Sequence, residues 1–135
     1  MARIRHLAIK SANPQRLAEF YQKEIGLKLL HQTGTRSYYL SDGHITLALL
    51  SCRPGDSPPG INHFGIEVED ASELAEKLVA AGLPAPTQRP ATTPFAEHRA
   101  MDPDGNLFDI SEHGYMDIET SVDRESKGKV RQPAV

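Results

Sequence analysis

The sequence predicts an α+β fold built from two tandem βαβββ modules. Three observations carry this expectation: an alternating, histidine-bearing strand pattern that returns after 57 residues, a helical pattern following each copy, and an Asp-Gly turn ahead of an apolar segment in both halves. In the first copy, Ile4-Arg5-His6-Leu7-Ala8-Ile9-Lys10 alternates. A strand there turns His6, Ala8 and Lys10 to one face and Leu7 and Ile9 to the other. Asn13 before Pro14 reads as an N-cap with proline at the first helical position, and Leu17, Phe20, Tyr21 and Ile25 follow at helical spacing until Gly26. Leu27 to Gln32 and Arg36 to Leu40 read as strands, and Asp42-Gly43 is a hairpin signal before a last strand, Ile45 to Ser51.

Residues 53–60 hold three prolines and two glycines and read as a linker. Beyond it, Ile61-Asn62-His63-Phe64-Gly65-Ile66-Glu67 repeats the first strand with His63 in the place of His6. Asp70 and Glu73 form a capping-box signature ahead of Leu74, Leu78 and Ala81, and Gly82 closes the helix. Leu17-Ala18-Glu19 and Leu74-Ala75-Glu76 match residue for residue. Asp104-Gly105 precedes Leu107 to Ser111 much as Asp42-Gly43 precedes Ile45 to Ser51. Between Pro84 and Arg99 four prolines break any continuous strand, so this stretch is expected as a substrate-facing loop or a poorly paired edge. Residues 117–135 are polar and charged of both signs, and read as a mobile or partner-draped tail.

Composition narrows the function. The chain of 135 residues carries a net charge of −3, only 8 aromatic residues and no Trp, a poor basis for nucleic-acid binding. Cys52 is the single cysteine, which rules out an internal disulfide and is most simply met in a cytoplasmic protein. No segment reads as a membrane span or a signal h-region, so no membrane partner is expected.

Chemistry is expected where the two copies agree. His6 and His63 stand at equivalent points of repeated strands, on the face opposite Leu7, Ile9, Phe64 and Ile66. Two converging imidazoles are ligands for Fe, Mn, Zn, Ni or Co, and a catalytic site adds an anionic ligand and keeps positions open. In Leu107 to Glu112, strand parity turns Asp109 toward the histidine face, with the longer Glu112 as the alternative if a bulge intervenes. Further candidates are weaker. Lys10 shares the face of His6 and suits an anionic substrate; Glu67, at the equivalent place after His63, suits an acid or base; each serves equally well in a salt bridge. His98 is expected at the surface, with proton transfer as its functional reading. Arg89 and Arg99 read as surface residues or as anchors for a carboxylate or phosphate, and His44 as a surface turn residue.

The pattern of His6, His63 and Asp102-Pro103-Asp104-Gly105-Asn106 leading to Asp109 resembles the vicinal-oxygen-chelate superfamily over about residues 3–114. That family includes glyoxalase I, methylmalonyl-CoA epimerase, extradiol dioxygenases, fosfomycin-resistance proteins and bleomycin-binding proteins. The resemblance implies a curled mixed sheet with an open cleft, completed across a homodimer. It implies a single domain over residues 1–116, with module one at 3–52, the linker at 53–60, module two at 61–114 and the tail after it. His6, His63 and Asp109 match three ligand positions, most members having Glu where this chain has Asp109. Aligning the two Asp-Gly turns puts Leu47 at the fourth ligand position, and leucine cannot bind a metal. Ala8 and Pro90-Ala91-Thr92-Thr93-Pro94 depart from the fosfomycin-resistance pattern. Three protein ligands leave room for two adjacent substrate oxygens, and resemblance to the extradiol dioxygenases, which use further His and Tyr residues beside the metal, makes Tyr115 a candidate there.

Three readings follow. One is a divalent-metal-dependent enzyme, a glyoxalase-like lyase or isomerase or an extradiol-type dioxygenase, acting on a small molecule through two neighbouring oxygens. The second is a metal-free binding protein of the bleomycin-resistance type. The third makes His6, His63 and Asp109 a hydrogen-bonded polar cluster with a structural role.

Overall fold

The computed structural model describes residues 2–55, 57–90 and 96–112. The expected tail over 117–135 and the candidate Tyr115 lie outside these residues. Among the described residues, eight strands and two helices form in the expected order: β1 (Arg3–Ser11), α1 (Pro14–Phe20), β2 (Lys28–Thr33), β3 (Ser37–Ser41), β4 (Thr46–Ser51), β5 (Gly60–Glu67), α2 (Ala71–Ala80), β6 (Thr87–Gln88), β7 (His98–Met101) and β8 (Leu107–Ser111). The α+β class, the tandem βαβββ order and a mixed sheet are all present. No helix among the described residues is long and apolar enough to cross a membrane.

The described residues divide into two compact units, one containing residues 6–62 and the other residues 63–112 with the chain's first few residues. In the first unit the strands run in the order β2-β3-β4-β1. β1 lies parallel to β4, and β2, β3 and β4 form an antiparallel meander. Parallel pairing of β1 and β4 puts Ile9 against Leu49, and β3 adds Tyr38 to the same row. Helix α1 covers this face. Its Ala18 is fully buried in one cluster with Tyr38, Leu40 and Leu49, against which Ile9, Leu17, Tyr21, Leu27, Leu29 and Leu47 pack. Burial of a side chain such as Leu49 contributes about 1.5–3 kcal/mol.

The helix starts as expected, with Asn13 Oδ1 accepting from the Arg16 N–H at 3.1 Å. It then widens into a single π turn over Tyr21–Ile25 before Gly26 ends it at φ 86°, a conformation that favours glycine.

The second unit repeats the plan with strands in the order β5-β8-β7-β6. Its core joins Val68, Ala100, Phe108 and Ile110 to Leu74 and Leu78 of α2. Asp70 Oδ1 caps α2 by accepting from the Glu73 N–H at 3.0 Å. Glu73, expected to reach back to its cap, instead pairs with Lys77 one turn on, at 3.3 Å. The proline-rich stretch hides a real strand. β7 begins at His98, four residues past the last of the prolines, and pairs along its whole length with β8. β6, only two residues long, forms the poorly paired edge.

The register also corrects the alignment of the two Asp-Gly turns. In module two Asp109 lies opposite Gly65; the residue 57 positions before Gly65 is Ala8, and Ala8 lies opposite Ala48. The counterpart of Asp109 is therefore Ala48. Leu47 belongs to the helix-facing core. The two turns are built differently. Asp42 Oδ1 accepts from the N–H groups of His44 and Ile45, whereas Asp102 Oδ1 accepts from those of Asp104 and Asn106. Matching the two capping aspartates, Asp42 and Asp102, leaves the first turn one residue shorter.

Candidate metal centre

The face of β5 and β8 away from α2 carries the chemistry of the second unit. Period-two alternation turns Phe64, Ile66, Phe108 and Ile110 to the helix, leaving His63, Gly65 and Asp109 on the other side. His63 and Asp109 are both buried. Gly65, opposite Asp109, brings no side chain to this face, and His63 Nε2 lies 3.1 Å from Asp109 Oδ2.

An ionised carboxylate at 2% exposure requires compensation. Antiparallel pairing sets Arg99 of β7 directly opposite Asp109, and its guanidinium supplies a two-point fork. Arg99 Nε donates to Oδ1 at 2.6 Å and Nη2 to Oδ2 at 3.1 Å. Nη2 also stands 3.3 Å from His63 Nε2. A neutral imidazole nitrogen either donates or accepts a hydrogen bond, so Nε2–H donates to Asp109 Oδ2 or an unprotonated Nε2 accepts from Arg99 Nη2. The accepting form is the one that can bind a metal.

In the first unit, His6 is buried on β1 opposite Thr46, which lies opposite Ser41. The next row on that face is Ala8, Ala48, Tyr39 and His31. The Tyr39 ring lies 5.9 Å from that of His31, and burial pushes its phenol pKa up, so the hydroxyl keeps its proton. His6, His63 and Asp109 are each buried and each of a type that can ligate a metal ion.

The His63–Asp109 pair has a spacing suited to that task. Two neighbouring ligand atoms about 2.1 Å from an octahedrally coordinated metal stand roughly 3.0 Å apart. The observed 3.1 Å is compatible with this and equally with a hydrogen bond between the two side chains.

The other candidates make contacts of their own. Glu112 Oε2 accepts from the Ala71 N–H at 2.8 Å, at the start of α2 where the helix dipole favours a carboxylate. Its own N–H donates to Glu97 Oε1 at 2.9 Å. Glu67 lies 3.8 Å from Arg5 in an ion pair, and half-buried Lys10 shares the face of His6 opposite Leu50. His98, expected at the surface, is half-buried and sits opposite Ile110, on the face turned away from Asp109. His44 is exposed in its turn, as expected.

Arg99 is the residue whose role sequence reasoning missed. Neither a free surface residue nor an anchor facing outward, it is bound to the chain's own carboxylate. Its signal was parity with Asp109 across a hairpin, and the prolines that precede β7 concealed that hairpin.

A model of the Glyoxalase/Bleomycin resistance protein/Dioxygenase superfamily matches residues 3–110. Solved structures share the fold at low identity. The 2,3-dioxygenase LapB from Pseudomonas sp. KL28 is 22% identical with a TM-score of 0.67, the alignment covering 82% of this chain and 40% of that one. Methylmalonyl-CoA epimerase from Mycobacterium tuberculosis is 18% identical with a TM-score of 0.66, covering 81% and 86%. The Mn(II)-bound glyoxalase from Novosphingobium aromaticivorans is 21% identical with a TM-score of 0.63, covering 83% and 38%. The chain thus spans well under half the length of the dioxygenase and of the glyoxalase. A search of the curated proteins finds no match.

Proposed function

The chain belongs to the glyoxalase/bleomycin resistance protein/dioxygenase superfamily, and from that premise we propose that it is a divalent-metal-dependent enzyme acting on a small substrate through two neighbouring oxygens. His6, His63 and Asp109 are the proposed ligands of one metal ion per site, drawn from Fe, Mn, Zn, Ni and Co. The carrying observation is the burial of an imidazole and a carboxylate side by side on the face away from α2. The equivalent burial of His6 on the repeated strand supports it. Glu112 remains the alternative carboxylate, but its bond to the start of α2 favours Asp109.

A metal held there supplies Lewis-acid polarisation of the chelated oxygens, which suits a glyoxalase-like lyase or isomerase and an extradiol-type dioxygenase alike. The protein's own part is to hold and orient. His63 offers a nitrogen lone pair when Nε2 is unprotonated, Asp109 offers a carboxylate, and the alanines at 8 and 48 add little bulk beside His6. Lys10 is the proposed contact for an anionic substrate and Glu67 a weaker candidate for acid or base. His98 and Tyr115 are kept as weaker candidates, the first disfavoured by its face. The proposal extends to a single domain over residues 1–116 with a tail after it, a homodimer, a cytoplasmic location, and neither nucleic acid nor membrane as a partner.

One observation favours a second reading. The Arg99 fork satisfies Asp109 without a metal, as expected of a metal-free binding protein or a structural polar cluster. Elemental analysis of untagged protein, followed by titration with Fe(II), Mn(II), Co(II), Ni(II) and Zn(II), separates the readings. The proposal expects uptake near one ion per chain, lost when His6 and His63 are both replaced by Ala. Absence of metal together with no tight uptake of any of the five ions overturns it.

A further inference from the structure

The fork that Arg99 places on Asp109 stands in the way of the proposed metal. A carboxylate has about four lone-pair directions. Arg99 uses one on each oxygen, and its Nη2 also lies against His63 Nε2, the nitrogen that would turn to the ion. A guanidinium carries a permanent positive charge and has no lone pair to offer, so it repels a divalent cation at contact distance and cannot share its ligands. The Arg99 side chain is 20% exposed while that of Asp109 is 3% exposed, so the arginine is the partner with access to solvent. The flexible stem of arginine lets the head leave while the strand stays paired.

We propose that Arg99 is a displaceable counter-ion: it neutralises Asp109 while no metal is bound, leaves when a divalent cation enters, and so sets the cation's affinity by competition. Two properties follow. The metal-free protein keeps a folded site, because the buried carboxylate is compensated in either state. The ion is also held more weakly than by the same ligands without the arginine. The inference rests on the metal-binding reading above.

The test measures Mn(II) and Zn(II) dissociation constants of the full chain by competition with a chelator, for wild type, Arg99→Met and Arg99→Lys. Arg99→Met keeps an apolar stem and removes the charge, and is expected to bind Mn(II) about tenfold or more tightly than wild type, with a larger rise in melting temperature on adding the ion. Arg99→Lys keeps the charge but loses the two-point fork, and is expected to fall between the two. If Arg99→Met does not fold without metal, the comparison of Arg99→Lys with wild type decides.

Equal or weaker binding by the folded variants overturns the competition while leaving the metal-binding reading intact. Failure of wild type and both variants to bind any ion overturns both. Tight binding by Arg99→Met with none by wild type would show an arginine that blocks the site and never yields it, and overturns the displaceable counter-ion.

Discussion

The two modules share a backbone plan and differ in one row of side chains. In module one the row reads Ala8, Ala48, Tyr39, His31; the matching row of module two reads Gly65, Asp109, Arg99, Thr87. Module one fills its row with small and aromatic groups that need no charge compensation. Module two buries a carboxylate and answers it with a guanidinium. The strand frame therefore does not dictate polarity on this face. Each module keeps its histidine one step along the strand, so duplication supplies two imidazoles and divergence supplies a single carboxylate.

The sharpest way to break this contrast is Ala48→Asp. The new carboxylate sits at a position only 3% exposed and has no arginine opposite it. Destabilisation of about 3–5 kcal/mol is expected in urea unfolding. Adding Tyr39→Arg recreates the module-two pair and should recover part of the loss, read as a coupling energy in a double-mutant cycle. No recovery would show that the row needs more than its two charges.

Core substitutions probe where the modules are expected to agree. Leu49→Ala and Ile110→Ala remove equivalent side chains, fully or almost fully buried, and each should cost about 3 kcal/mol. A difference above about 2 kcal/mol between them would mean that the two cores are not packed to the same standard. The caps are a milder comparison. Asn13→Ala and Asp70→Ala each remove one acceptor at a helix start, with an expected loss of about 1 kcal/mol, checked by thermal or urea unfolding.

The smallest effect concerns the turns. The side-chain amide and then the N–H of Asn106 hold the Asp102 carboxyl below its ordinary value of 3.8. Burial pushes Asp42 upward, but the N–H groups of His44 and Ile45 outweigh it and leave this carboxyl lowered as well. A carboxyl with a depressed folded pKa stabilises above its unfolded value and loses that contribution as pH falls through the folded one. Asp102→Ala and Asp42→Ala should therefore lower stability slightly at pH 7, with the difference from wild type shrinking below about pH 4. A difference that persists at low pH would assign it to turn geometry rather than charge.

Much of this was legible in the residues. Asn13-Pro14 and Asp70 placed both helix starts, because capping is a local event among residues three apart. Alternation in Ile4 to Lys10 and Ile61 to Glu67 assigned His6 and His63 to the face opposite the apolar side chains, and alternation in β8 did the same for Asp109. The same logic failed at β7, where prolines just upstream masked four residues whose pairing rests on β8. It failed again at Leu47, since counting from an Asp-Gly turn assumes equal turn lengths.

What the sequence determined by itself was the repeat, the order of elements, the caps, and the face of each residue within its own strand. The reason is that these follow from periods of 3.6 and 2 and from contacts a few residues apart. Only the tertiary structure decided which residue lies opposite which: Ala48 rather than Leu47 as the counterpart of Asp109, and Arg99 as the partner of that carboxylate. Register between strands is set by turn length and by packing against the helices. One residue more or less in a turn exchanges a core leucine for a residue on the polar face.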